Sequence, residues 1–181
     1  TGASAPETGG AQFGAFPYPL KTLRNANSDG VIAFGATLTG AGVNSSNNGA
    51  VYRADHGVLD LIARDGDVAQ GDAPDCPMYG TSYSRFNMNS SGKIAFHAGT
   101  ACGGGISVFS DRSGVVKREA YPDRLLSGSS GTFRLGLINE VTTALGTIGD
   151  SVNYVRGFLA DNGDLFVLTG IMNEDRTLRS S

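Results

Sequence analysis

Tryptophan is absent from this 181-residue chain, and cysteine and histidine occur only twice each. Without tryptophan the strongest sugar-stacking side chain is missing. Cys76 and Cys102 lie 26 residues apart, with no CxxC pair and no histidine ligands at zinc-site spacing, which argues against zinc sites and thiol redox motifs. A single structural disulfide, at home in an oxidising compartment, is the preferred reading of this pair, and two unpaired thiols are the alternative. Charged residues amount to 17% with a net charge of -3, which leaves no basic surplus for nucleic acid. No stretch approaches the roughly 18 apolar residues of a membrane span. Helical periodicity is absent throughout. No charged-then-apolar leader precedes the body of the chain, which starts at Thr1, so any export signal is expected to be missing or already removed. Phosphate-cradle and dinucleotide signatures are absent too, because Gly103-Gly104-Gly105 lacks the strand-to-helix context they need.

Glycine, by contrast, supplies 27 residues, about twice ordinary usage, and 40% of the chain is hydrophobic. The first figure points to many turns between short strands; the second argues against disorder and allows one well-filled core. Asn27-Ser28-Asp29-Gly30-Val31-Ile32-Ala33-Phe34 recurs as Asn89-Ser90-Ser91-Gly92-Lys93-Ile94-Ala95-Phe96, identical at six of eight positions. Downstream, the segment from Gly49 through Asp55 to Gly57 matches Gly105 through Asp111 to Gly114, and again Gly157 through Asp161 to Gly163. A third copy therefore exists, with a degenerate first half at 139–145 that keeps the asparagine and an alanine-apolar pair but loses the glycine. Self-similarity at intervals of roughly 50 to 60 residues marks a repeat architecture.

Each copy reads as four short strands. The first strands fall at 19–24, 82–87 and 132–137, and the second at 31–38, 93–99 and 142–147. The third carry 51–52, 107–109 and 158–159, and the fourth span 58–64, 115–120 and 164–168. In the second strand Ile32, Phe34 and Ala36 face one side and Val31, Ala33 and Gly35 the other, which predicts burial on both faces. The fourth strand of copy two sets Val115, Lys117 and Glu119 against Val116, Arg118 and Ala120, which suits a wetter outer position. This gradient predicts an all-β fold of three propeller-like repeats of about four antiparallel strands each. The divisions are an N-terminal extension at 1–16, repeat 1 at 17–75, repeat 2 at 76–130 and a degenerate repeat 3 at 131–181, together one β-repeat domain.

These residues carry a family resemblance. Asn27, Gly30, Ala33 and Phe34, and again Asn89, Gly92, Ala95 and Phe96, match the motif of the bacterial secreted proteins called choice-of-anchor tandem repeat NxxGxxAF-containing proteins. The chain resembles that family over essentially its whole length, including the aspartate-glycine segment Ala63-Arg64-Asp65-Gly66-Asp67 and the Ala5-Pro6 pair before Gly9-Gly10. The resemblance implies an exported or surface-anchored β-repeat protein without a defined reaction or catalytic residues.

Several residues offer chemistry on their own account. Asn25, Asn27 and Asp29 before Gly30 set oxygen side chains at alternate positions, as the opening of a calcium loop does. Position twelve of such a loop is Ala36, and the equivalent segment in copy two has no carboxylate. The preferred reading is a turn whose asparagines bond their own backbone, with calcium as the alternative and no other cofactor expected. Gly149-Asp150-Ser151 looks like a serine-hydrolase block, but the available bases are His56 on a hairpin turn and His97 in a second strand. Asp60, Asp65, Asp67, Asp72 and Asp75 could pair for glycoside hydrolysis and read first as a solvated acidic rim.

The leading expectation is a non-catalytic, exported structural or adhesive protein, extracellular or at the cell surface. It self-assembles through its repeats as a homo-oligomer or polymer, in the manner of a filament or surface-layer subunit. Three blades leave unmatched faces whose Val, Ile and Phe side chains need cover, and the N-terminal extension could reach a neighbour as an added strand. The alternatives are an extracellular glycan-binding module presenting Tyr79, Tyr83 and Tyr121, and a hydrolase on a propeller scaffold. A surface glycan or protein is the expected outside partner.

Overall fold

The computed structural model describes residues 2–14, 26–70, 72, 76–101, 106–121, 124–128, 131–136, 142–143, 146–147, 156–168 and 170–172. Among them the chain is all-β, without a helix. The first sheet is an antiparallel meander of β1 (Gln12–Phe13), β2 (Ile32–Thr39), β3 (Gly49–Asp55) and β4 (Val58–Arg64), paired in that order. The second repeats it with β5 (Met78–Met88), β6 (Ile94–Thr100), β7 (Ser107–Ser110) and β8 (Lys117–Ala120). β9 (Leu125–Gly128) and β10 (Gly131–Gly136) form a hairpin, followed by the short pair β11 (Thr142–Thr143) and β12 (Gly146–Thr147). The hairpin β13 (Arg156–Leu159) and β14 (Leu165–Leu168) comes next, and β15 (Gly170–Met172) returns to pair with β10.

The meander connections follow from local residues. His56 and Gly57 both have positive φ, 47° and 89°, so β3 and β4 are joined by the kind of two-residue turn that matches strand twist. Alternation then divides each strand between two faces. Ala33, Val51 and Ala63 of the first sheet pack with Phe86, Phe96 and Phe109 of the second in one core, whereas Ala36, Leu38, Ala50 and Tyr52 point the other way. β6 and β7 are buried almost throughout, and β4 and β8 are mostly half-buried. Phe34 stacks on Tyr52 across β2 and β3 at 5.9 Å, and Phe96 stacks on Phe109 across β6 and β7 at 5.7 Å. Full burial of a phenylalanine stabilises by about 2 to 3 kcal/mol, and such an aromatic pair adds about 1 kcal/mol.

These ladders revise the repeat register. Tyr52 lies opposite Phe34, and Phe109 lies opposite Phe96. The structural equivalent of Phe109 is therefore Tyr52, one residue away from the match made through Gly49 and Gly105. Bulges between Val51 and Tyr52 and between Val108 and Phe109 sit at the same place in both sheets and support this pairing. In the third copy, the expected second strand at 142–147 is instead two short strands, 142–143 and 146–147, paired antiparallel with Thr142 opposite Thr147. β10, expected as a first strand at 132–137, pairs with β9 and β15. The first strand expected at 19–24 lies outside the described residues.

The N-terminal segment lies against its own first sheet. Gln12 and Phe13 pair with Thr39 and Leu38, and Ala5, Ala11 and Phe13 are buried on the Tyr52 face. The Tyr52 hydroxyl donates to the Pro6 carbonyl at 2.9 Å, and Arg64 Nη1 donates to the Thr8 carbonyl at 3.2 Å. Burial, with the nearby Glu7 charge adding to it, pushes the Tyr52 hydroxyl up to about 12.

Candidate functional site

The NxxG residues build a specific turn. The amide of Asn27 donates to the Val31 carbonyl at 3.0 Å, and that of Gly30 donates back to the Asn27 carbonyl at 3.2 Å; Asn89, Lys93 and Gly92 repeat both bonds at 3.0 Å. Asn27 Oδ1 accepts from the amides of Asp29 and Val31 at 3.0 Å each, and Asn89 Oδ1 accepts from Lys93 N and the Ser91 hydroxyl at 2.9 Å each. Gly30 and Gly92 have φ of 81° and 74°, the left-handed region where a Cβ is strained. The Asn27 oxygen proposed for calcium is thus directed at two backbone amides, while Asp29 is exposed and accepts from Ser28. Asn25 lies outside the described residues. Among the described residues no group of three His, Cys, Asp or Glu side chains could hold a metal.

The same turn occurs a third time at a place the sequence reading assigned to a third-to-fourth-strand hairpin. Ala160 N donates to the Asp164 carbonyl at 2.8 Å and Gly163 N to the Ala160 carbonyl at 3.0 Å. With alanine where the motif has asparagine, this turn kept only its glycine as a sequence signal. The three turns are linked in series. Asn27 Nδ2 donates to the Ser90 carbonyl at 3.0 Å, and Asn89 Nδ2 donates to the Ala160 carbonyl at 3.2 Å. Two arginines make a parallel set of links, Arg53 to the Gly92 carbonyl at 3.2 Å and Arg112 to the Gly163 carbonyl at 3.4 Å. Ser90 N also donates to Asp161 Oδ1 at 2.7 Å, which holds that carboxyl below its usual range.

Where the first two sheets meet, a cleft of about 790 Å³ opens. Leu61 and Ile62 of β4, Val68 just beyond it, and Val115 and Val116 ahead of β8 supply apolar lining. Four carboxylates, Glu7, Asp60, Asp67 and Asp111, face two cations, Arg53 and Lys93. Arg53 is the hub: Nε and Nη2 donate to Asp60 Oδ2 at 3.2 and 2.9 Å, and Nη1 donates to Asp111 Oδ2 at 3.1 Å. Asp111 is buried, and its other oxygen accepts from Ile94 N at 2.7 Å, so this side chain is charge-paired and hydrogen-bonded at once. Glu7 Oε1 accepts from Leu61 N at 3.2 Å. Asp67 Oδ2 accepts from Arg64 N at 2.8 Å, yet desolvation outweighs that bond and raises the carboxyl above its ordinary value. The arrangement favours binding of positive charge beside apolar groups.

Of the acidic rim read from the sequence, Asp60 and Asp67 reach this cleft. Asp65 is buried, and its Oδ2 accepts from Gly49 N at 2.8 Å, which ties the end of β4 to the start of β3. Asp72 lies elsewhere, desolvated and raised in pKa against the nearby Arg118 charge, while Asp75 is outside the described residues. His56 is exposed beside Asp55, and His97 is buried in β6, in the other sheet. Gly149, Asp150 and Ser151 lie outside the described residues. Tyr121 packs beneath Arg118, 4.1 Å from its ring centre, so one of the expected sugar-stacking faces carries an arginine. Cys76 is buried and is not a free thiol; Cys102 lies outside the described residues.

The chain matches the profile of the family of unknown function DUF7453 over residues 1–175. It belongs to that family. No curated protein and no solved structure matches it. In this DUF7453 chain, then, the site rests on geometry. Sequence reasoning missed Arg53, Asp111, Glu7 and Lys93 as one group, because they are brought together only when the two sheets pack. The available signal was Asp111 ahead of a turn glycine, which was matched to Asp55 and so treated as hairpin chemistry.

Proposed function

We propose that the chain is a non-catalytic, exported structural or adhesive protein built of three propeller-like blades, acting outside the cell or at its surface by self-assembly. The observation that carries this reading is the serial linkage of the three turns, Asn27 to Ser90 and Asn89 to Ala160, which joins one unit to the next by the same side-chain amide. The resemblance to the choice-of-anchor NxxGxxAF proteins supports export, as does a Cys76–Cys102 disulfide, which belongs to this proposal. A second copy is the partner we favour. On the second sheet the stacked pair Phe96 and Phe109 is fully buried against the first sheet. On the first sheet the equivalent face is covered by residues 2–14, and Phe34, Leu59 and Leu61 remain half-buried, so further cover by another chain is favourable.

Size-exclusion chromatography with light scattering tests assembly. Masses above that of the 18.7 kDa chain, rising with concentration, are expected, and a monomer persisting over a wide concentration range overturns it. Non-reducing peptide mapping tests the compartment argument separately. A linked Cys76–Cys102 peptide is expected, and recovery of both thiols free in native material contradicts it.

A further inference from the structure

The cleft between the first two sheets suggests a second, distinct contact. We propose that it docks an extended peptide segment of a partner protein, in which lysine or arginine alternates with small apolar residues, and which pairs along the edge of β4. Three observations meet there. First, β4 ends the strand order of its sheet. The outward amide of Leu61 is held by the Glu7 carboxylate at 3.2 Å, a side chain standing where the carbonyl of an added strand would sit. An incoming strand can replace that bond at no net loss of hydrogen bonding, the exchange on which strand addition relies.

Second, the charges are complementary to a basic segment. Glu7, Asp60, Asp67 and Asp111 outnumber Arg53 and Lys93, and Arg53 is already committed to Asp60 and Asp111. Asp67 is exposed at the cleft and has no cation in hydrogen-bond contact among the described residues. Its carboxyl is raised above its ordinary value by partial desolvation, so a lysine or arginine beside it would favour its charged form. Third, the exposed large apolar side chains among the described residues are Val58, Val68 and Val115, and two of them, 41% and 45% exposed, line this cleft. Apolar surface gathered beside carboxylates is the pattern of a docking surface. A strand places its side chains alternately, so a basic residue can meet the carboxylates while its neighbours cover Val68 and Val115.

The test uses the whole chain and a fluorescein-labelled peptide, Thr-Lys-Val-Lys-Val-Lys-Thr. Controls are the same peptide with glutamate for lysine and one N-methylated at alternate backbone amides. The lysine peptide is expected to bind with slowed hydrogen exchange across Val58–Arg64, and both controls are expected to fail. The double variant Glu7→Gln with Asp67→Asn keeps the oxygens that accept from Leu61 and Arg64 but removes two charges, and should weaken binding about tenfold. Val115→Ser tests the apolar part independently and should also weaken binding. Equal binding of the glutamate or N-methylated peptide, absence of binding at about 1 mM, or protection outside β4 overturns the proposal. So does protection of the same strand by a second copy or by an oligosaccharide when the lysine peptide does not bind.

Discussion

The first and second sheets carry the same asparagine turn, the same stacked aromatic pair and the same bulge, yet they differ in what covers them. In the second sheet Phe96 faces the first sheet, while Ala95, His97 and Val108, on the opposite face, are buried as well. In the first sheet one face meets its successor, and the other meets residues 2–14 among the described residues, with Phe34 half-buried. Identical local chemistry thus acquires different energetic weight from its neighbours, as expected of repeats that cannot hide their faces alone.

The sharpest way to break this comparison is to truncate the matched aromatics. Phe96→Ala should cost about 3 to 5 kcal/mol and Phe34→Ala about half as much, read from urea unfolding. Equal losses would mean that the two faces are equally dry. Next in size is the bridge between the sheets. Arg53→Met removes the cation from the buried Asp111 and should cost about 3 kcal/mol, whereas Asp60→Asn, on the exposed side of the same arginine, should cost less than about 1 kcal/mol. A double-mutant cycle with Asp111→Asn, which retains an acceptor for Ile94 N, should recover part of the loss.

The smallest effects are pH-dependent and opposite in sign. Burial alone would raise the Glu119 carboxyl, but hydrogen bonds from Arg112 and Ser110 leave it below its ordinary value. A depressed folded pKa stabilises above the unfolded value and is lost as pH falls through the folded one. The deficit of Glu119→Gln at neutral pH, within about 1 kcal/mol, should therefore shrink on acidification. Asp67 is raised by desolvation, so its ionisation disfavours the fold as pH rises through its folded value, and Asp67→Asn should gain slightly at neutral pH. Thermal melts from neutral to acidic pH check both signs.

Much of the fold was legible because its determinants are local. The NxxG segment predicts a turn through asparagine self-bonding, which the structure shows. The two-sided apolar pattern of 31–36, by contrast, predicts burial on both faces of β2, where Ala33 and Ala36 are buried but Ile32 and Phe34 stay half-buried. Register was less legible. Gly49 and Asp55 matched Gly105 and Asp111 by identity, but bulges at Val51 and Val108 make the aromatic residues the true equivalents. The third turn escaped because Ala160 replaced the asparagine that names the motif. The cleft was least legible: Arg53 and Asp111 are 58 residues apart and meet through sheet packing, a relation that no local pattern encodes.

The central claim, that the Tyr52 face of the first sheet is the assembly face, is tested most directly by amide hydrogen exchange measured at low and high protein concentration. The account predicts that β2 and β3 gain protection as concentration rises, while β6 and β7, already buried, change little. Protection of β2 and β3 that is indifferent to concentration would contradict it.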